Sequence, residues 1–270
     1  MKNQYKKLSR DELKKTYIGI LEYIDKICRN NNIEYSIGCG TLLGAVRHGG
    51  FIPWDDDVDI VIMRSEYEKL VKSIKEDNDR IYGVVTPDDE GYYYNFAKVT
   101  DKRTILKEKN WPNYDRLGVN VDLFPQDYLP EDNPSSLVYK AWEYDNGLKF
   151  CLTNIAYVHK NYFISLIKRI LRFKRVKQSR RHDEWFWKRK VQELVDNTEE
   201  TSKVACLTSP PMVICERELF DEYIDIKFEN IICRCVRNHD EMLKVQFGDY
   251  MKLPPEDQRY ANHDFVALWK

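Results

Sequence analysis

Apolar residues recur at Leu13, Tyr17, Ile20, Leu21, Ile24, Ile27 and Cys28, the spacing of one stripe on an amphipathic helix. Its start is marked by a capping box, Ser9 with Glu12, and by Leu8 and Leu13 in staple positions. The polar run Arg29-Asn30-Asn31-Asn32 ends it. Alternation then takes over, and Ile33-Glu34-Tyr35-Ser36-Ile37 reads as a strand. A turn, Gly38-Cys39-Gly40-Thr41, leads into a short helix over residues 42–47. From Asp55 the alternation returns, with Asp55, Asp57 and Asp59 at every second position and Val58, Ile60 and Ile62 between them. As one strand, this segment shows three carboxylates on one face and its apolar residues to a core on the other.

Further strands are expected over residues 83–86, 93–99 and 118–124. In the last, Val119, Val121 and Leu123 face one way and Asn120 and Asp122 the other. Residues 134–201 read as helical, followed by a strand at 231–236, a helix at 238–247 and a proline-bounded loop at 248–255. The fold class is α/β in the α+β sense: a small mixed sheet carrying the carboxylates, with flanking helices. Residues 1–134 form the expected core, and 135–270 a mostly helical C-terminal part packed on it, continuous with it or separate.

Composition narrows the class. With 43% hydrophobic and 32% charged residues, the chain of 270 residues is an ordinary globular protein. A formal net charge of −1 argues against a dedicated nucleic-acid binder. No apolar run approaches the ~18–20 residues of a membrane span, and no apolar stretch follows the basic N-terminus as a secretory signal requires. Seven cysteines without a CxxC pair are expected to be reduced thiols, so the expected location is cytoplasmic. Cys206, Cys215, Cys233 and Cys235 lack the paired spacing of a zinc knuckle and read as core or surface residues. The net charge conceals an asymmetry: between Lys160 and Lys190 stand twelve cations against Asp183 and Glu184, interleaved with apolar residues. A basic amphipathic helix of this kind suits peripheral contact with an anionic membrane, and equally a solvated surface balanced by the acidic remainder.

Three like charges on one strand face repel, and a divalent cation removes that penalty; hard oxygen ligands suit Mg²⁺ or Mn²⁺. Two-metal phosphoryl transfer uses a carboxylate pair on one strand and a third nearby. Asp57 and Asp59 supply the pair, Asp122 the third, and Asp55 an additional ligand. Gly40 and Thr41 in the turn, with Arg47, Lys98 and His48 as counter-charges, are the phosphate-binding candidates. The rival is a calcium loop, since Asp55, Asp57, Asp59 and Glu66 fall at EF-hand positions one, three, five and twelve. Ile60 stands where that loop needs glycine, and no helix ends at Asp55.

The run Gly40-Thr41-Leu42-Leu43-Gly44-Ala45-Val46-Arg47-His48, followed by Gly49-Gly50-Phe51-Ile52-Pro53-Trp54-Asp55-Asp56-Asp57-Val58-Asp59, closely resembles the LicD family. Phe96-Ala97-Lys98, Val121-Asp122-Leu123-Phe124-Pro125 with Asp127, and Phe247-Gly248-Asp249-Tyr250-Met251-Lys252-Leu253-Pro254-Pro255 extend the match. These are phosphocholine and related phospho-alcohol transferases, akin to fukutin-type ribitol-phosphate transferases and to polymerase-beta-type nucleotidyltransferases. The resemblance implies a Mg²⁺-dependent transfer from a CDP-alcohol, CDP-choline favoured, to a hydroxyl of a glycan or lipid-linked glycan, with CMP leaving. It places Gly40 and Thr41 at the phosphate turn, Asp57, Asp59 and Asp122 as catalytic metal carboxylates, and Asp55 before the pair. A nucleotidyltransferase releasing pyrophosphate, and a non-catalytic membrane-associated metal- or glycan-binding protein, are the alternatives.

Overall fold

The computed structural model describes residues 5–109, 111–152, 162–210, 213–260 and 264–270, with backbone alone at 162–166 and 168–171. Helix α1 (Arg10–Asn30) opens with the expected capping box. The Ser9 hydroxyl accepts from the Glu12 N–H at 3.2 Å, and the Ser9 N–H donates to the Glu12 carboxylate at 2.8 Å. Its apolar stripe is buried, with Ile20, Leu21, Ile24 and Cys28 fully covered. Asn31 caps its end, and Asn32 at φ 51° turns the chain away.

The core elements follow in order: β1 (Ser36–Ile37), α2 (Cys39–His48), β2 (Asp59–Met63), α3 (Arg64–Asp77), β3 (Tyr82–Val85), β4 (Lys98–Asp101), β5 (Thr104–Glu108) and β6 (Asn120–Leu129). The central sheet has the order β1-β2-β6-β4-β3. Only β2 and β6 run parallel, which places Asp59 opposite Asp122; β4 runs antiparallel to β6 and sets Lys98 opposite Asp122. All five residues of β2 are buried, as in a central strand covered on both faces; α1 and α3 both pack on this sheet.

Helices α4 (Pro134–Leu152), α5 (Tyr162–Ser179) and α6 (Glu184–Asp196) lie within the region expected to be helical, of which 153–161 falls outside the described residues. Beyond them the chain returns to strands: β7 (Lys203–Ala205), β8 (Cys215–Glu216), β9 (Tyr223–Phe228), β10 (Ile231–Val236) and, after helix α7 (His239–Phe247), β11 (Phe265–Trp269). Strand β7 pairs with the end of β6, and β11 pairs with β5, so C-terminal residues complete the core's sheets. Among the described residues no helix is long and apolar enough to cross a membrane. All seven cysteines are free thiols, and Cys233 and Cys235 are buried in the core from β10.

Three strand expectations are corrected. Of the one read over 33–37, only Ser36–Ile37 is strand. The strand read from Asp55 begins only at Asp59, because a turn at Pro53-Trp54 precedes it and residues 55–58 are irregular. The strand read over 93–99 begins at Lys98. There, burial of Tyr92 and Tyr93 in a separate aromatic cluster, where Tyr93 stacks on Trp111 at 4.6 Å, overrides strand propensity.

Candidate active site

The site forms where β2 begins. The Gly38 N–H donates to the Asp59 carbonyl at 2.9 Å, and the Thr41 hydroxyl accepts from the Asp59 N–H at 2.9 Å. These two bonds fasten the start of α2 to the start of β2. The helix begins at Cys39, earlier than the expected residue 42, so Gly40 and Thr41 lie in its first turn. Cys39 itself takes φ 47°, a left-handed backbone uncommon outside glycine and asparagine. Gly40 is needed for a close approach: a Cβ there would lie 2.3 Å from Asp55 Oδ2. The Asp55 carboxylate is thereby set against the helix N-terminus, where the macrodipole favours negative charge.

The irregular backbone at 55–58 gathers more carboxylates than a strand would. Oxygens of Asp55, Asp56 and Asp57 lie within 4.8 Å of one another, whereas a strand would turn Asp56 to the opposite face. Asp59 is 6% exposed, and its Oδ1 is buried with no hydrogen-bond partner. An orphaned carboxylate oxygen beside a cluster of oxygen donors fits a hard divalent cation, which would satisfy it and screen the repulsion. Burial, and then the charge of Asp57, push Asp55 up to about 7; the same two causes push Asp59 well above the carboxylate range.

Asp122 has a different neighbour. Lys98 Nζ donates to both of its oxygens, at 2.7 and 2.9 Å, and lies 4.4 Å from the Tyr94 ring centre and 5.4 Å from that of Phe96. Burial raises Asp122 to about 6 against the opposing pull of Lys98. Lys98, 5% exposed, is held charged by Asp122 despite its burial.

Two cavities meet at Asp57 and Asp59. One, about 440 Å³, is lined by Arg47, Trp54, Asp55, Tyr250 and Lys252 among others. The other, about 310 Å³, is lined by Tyr94, Lys98, Glu108, Asn120, Asp122 and Lys149 among others. Cys39, Asp57 and Asp59 line both. Arg47 is tied to the C-terminal loop, donating to the Tyr250 carbonyl at 2.6 Å. His48 does not line either cavity; its ring meets Trp54 edge-on at 6.1 Å, and burial followed by the Arg47 charge lowers its pKa.

Several lining residues carry no signal in the sequence. Glu108 ends β5 and accepts from the hydroxyls of Tyr93 at 2.6 Å and Tyr94 at 2.9 Å. Lys149 arrives from α4, where it also pairs with Asp145 at 2.6 Å. Tyr17 reaches in from α1, its hydroxyl donating to the Asp56 carbonyl at 2.9 Å. Of these, only Tyr17 had a periodicity to read, and that assigned it to the helix's core stripe.

The raised carboxylates make stability depend on pH in a definite sense. Unfolded aspartates titrate near 4, while folded Asp55 and Asp122 titrate at about 7 and about 6. Between these values the folded chain keeps protons that the unfolded chain has released. Stability from these groups is therefore complete below about pH 4 and is lost as pH rises through 6 to 7. A divalent cation held by these carboxylates would take the place of the protons. Thermal melts should show a larger stabilisation by Mg²⁺ or Mn²⁺ at about pH 8 than at about pH 6, with proton release on binding in the lower range. An equal or smaller increment at the higher pH would contradict it.

Adjacent carboxylates on a parallel strand pair, beside a glycine-bearing helix start, give this mixed α/β protein a site suited to chemistry at a phosphate. Residues 32–164 match the LicD/FKTN/FKRP nucleotidyltransferase domain, so the chain carries a LicD family domain. It is 29% identical to the lipopolysaccharide cholinephosphotransferase LicD of Haemophilus influenzae over an alignment of 276 positions, covering 96% of this chain and 97% of that protein. The uncharacterized protein RP689 of Rickettsia prowazekii is 34% identical over 137 residues, 47% of this chain and 50% of its own. Human ribitol 5-phosphate transferase FKRP is 34% identical over 104 residues, 36% of this chain and 20% of its own.

Proposed function

We propose that the protein moves a phospho-alcohol, with phosphocholine favoured, from its CDP form to a hydroxyl of a cell-surface glycan precursor, of lipopolysaccharide or teichoic acid type. The observation that carries this reading is the placement of Asp57 and Asp59 in the walls of two cavities at once. Transfer between two substrates needs donor and acceptor on either side of one charged centre. Similarity along nearly the whole chain to a protein named a cholinephosphotransferase supports the choice of group.

Asp55, Asp57 and Asp59 would hold the divalent cation, with Asp122 beside them. When bound, such an ion screens the phosphate charge and makes an attacking hydroxyl more acidic. The acceptor oxygen forms a bond to the phosphorus bearing the alcohol, and the bond from that phosphorus to CMP breaks. We assign the hydroxyl proton to Asp122, which Lys98 holds in place through both carboxylate oxygens. Arg47 and Lys252, which line the same cavity as Asp57 and Asp59, would neutralise the departing nucleotide phosphate.

The test is release of CMP from a panel of CDP-choline, CDP-ribitol, CDP-glycerol and CDP-ethanolamine with Mg²⁺ and a cell-envelope glycan fraction. NTPs are included, and Asp57→Asn is the blank. CMP from one donor, lost in the variant, supports the reading and names the alcohol. Pyrophosphate released from an NTP would instead assign nucleotidyl transfer, the runner-up.

A further inference from the structure

Helix α5 has a surface that the transfer reading does not use. Of its described apolar side chains, Ile167 is 58% and Phe173 67% exposed. Around them Lys174, Arg175, Lys177 and the following Arg181 are also exposed. From Asn146 to His182 the chain carries ten lysines and arginines and no acidic residue. Lys160 and the side chains of Lys168 and Arg169 lie outside the described residues.

The helix is fastened to the body along its other side. The Arg172 guanidinium lies 5.7 Å from the Phe150 ring centre on α4, and the buried Ser179 offers its carbonyl to Trp187 Nε1 on α6 at 3.1 Å. Exposure of Ile167 and Phe173 is therefore exposure on a docked helix. A solvated helix gains from acidic partners three or four residues from its cations, and α5 has none. No acidic residue stands within α5 itself, and among its described side chains Ile167 and Phe173 lack a cover.

We propose that this face of α5 docks the protein on an anionic lipid surface. Phosphate headgroups complement the lysines and arginines, at about 1 kcal/mol for each cation near the surface, and the acyl boundary takes Phe173 and Ile167. A nucleic acid would satisfy the cations and leave the two apolar side chains in water, so a bilayer is the better partner. The helix lies in the interface and does not cross it. This inference stands apart from the transfer reading, and its test needs no turnover.

The full chain is sedimented with vesicles of phosphatidylcholine alone and of phosphatidylcholine with phosphatidylglycerol, at low and high salt. Binding to the anionic vesicles is expected, with loss at high salt and little binding to the neutral ones. Lys174→Ala with Lys177→Ala should weaken partitioning about 30-fold, and Phe173→Ser should weaken it with the charge intact. Circular dichroism of the variants checks that each remains folded; all of these positions are exposed. Failure to bind anionic vesicles at low salt would overturn the proposal. So would Phe173→Ser binding like the parent, or a soluble single-stranded nucleic acid competing as strongly for Phe173→Ser as for the parent.

Discussion

Replacing Asp59 by asparagine should raise the melting temperature of the metal-free protein while lowering turnover by about a thousandfold or more. The two effects have one cause. Asp59 is buried at the start of β2 with Oδ1 unpartnered, and the charges of Asp57, Asp122 and Asp55 all oppose its ionisation. A neutral amide of the same shape removes that repulsion and can donate to a neighbouring carboxylate. Removal of an uncompensated buried charge is worth about 1–3 kcal/mol, which for a chain of this size is several degrees in Tm. The backbone bond from Asp59 to Thr41 is untouched, so the fold is retained. On the proposed function, what would be lost is a ligand to the cation and the transition-state screening it would supply, on the order of several kcal/mol. Mg²⁺ should then stabilise the variant much less than the parent. A lower Tm for Asp59→Asn would mean that the carboxylate is a structural hydrogen-bonding group, and would remove the argument for a cation there.

The opposite outcome is expected at Asp127, which also lies in a segment matching the family. Its side chain is fully buried, and Arg64 donates to it through two nitrogens at 2.6 and 2.9 Å. The Leu207 N–H adds a third bond at 3.3 Å. The pair links the start of α3 to β6 and to the segment after β7, and the Arg64 guanidinium lies over the Tyr67 ring at 5.0 Å. Asp127→Ala strands a largely buried guanidinium and should cost about 3–5 kcal/mol, on the order of 10 °C in Tm. Apolar replacement of both partners, Arg64→Met with Asp127→Leu, should recover much of that loss. Below its melting point Asp127→Ala should still be stabilised by Mg²⁺, because Asp127 lines neither cavity at the carboxylates. Loss of the metal response in folded Asp127→Ala would place Asp127 in the site.

Aspartates matched by one family resemblance thus separate into two kinds of residue. Asp59 is held against its own stability, and Asp127 is held for the stability of the fold. Sequence alone assigns both to the family pattern. Burial and partners distinguish them, since one carboxylate has a buried oxygen without a donor and the other carboxylate has three donors.

Local chemistry was legible where it is decided by neighbours in the chain. The capping box and apolar stripe of α1 and the burial of Ile60 and Ile62 follow from spacing, and helices between Pro134 and Asp196 from the lack of glycine in that stretch after Gly147. Asp55, Asp57 and Asp59 are legible from their spacing as well, although strand alternation is not what gathers the carboxylates. A turn at Pro53-Trp54 and the missing side chain at Gly40, not strand alternation, bring Asp55 and Asp56 together with Asp57. Pairings across long stretches of chain were not legible. Lys98 meets Asp122 through the β4–β6 register, and β11 meets β5 after more than 150 intervening residues. Glu108 and Lys149 reach the second cavity from elements whose own patterns report only a strand end and a helix. A sequence period records which face of an element is covered, because burial acts on each residue separately. Which charges then face one another depends on register and packing between distant elements, and only the folded chain decides that.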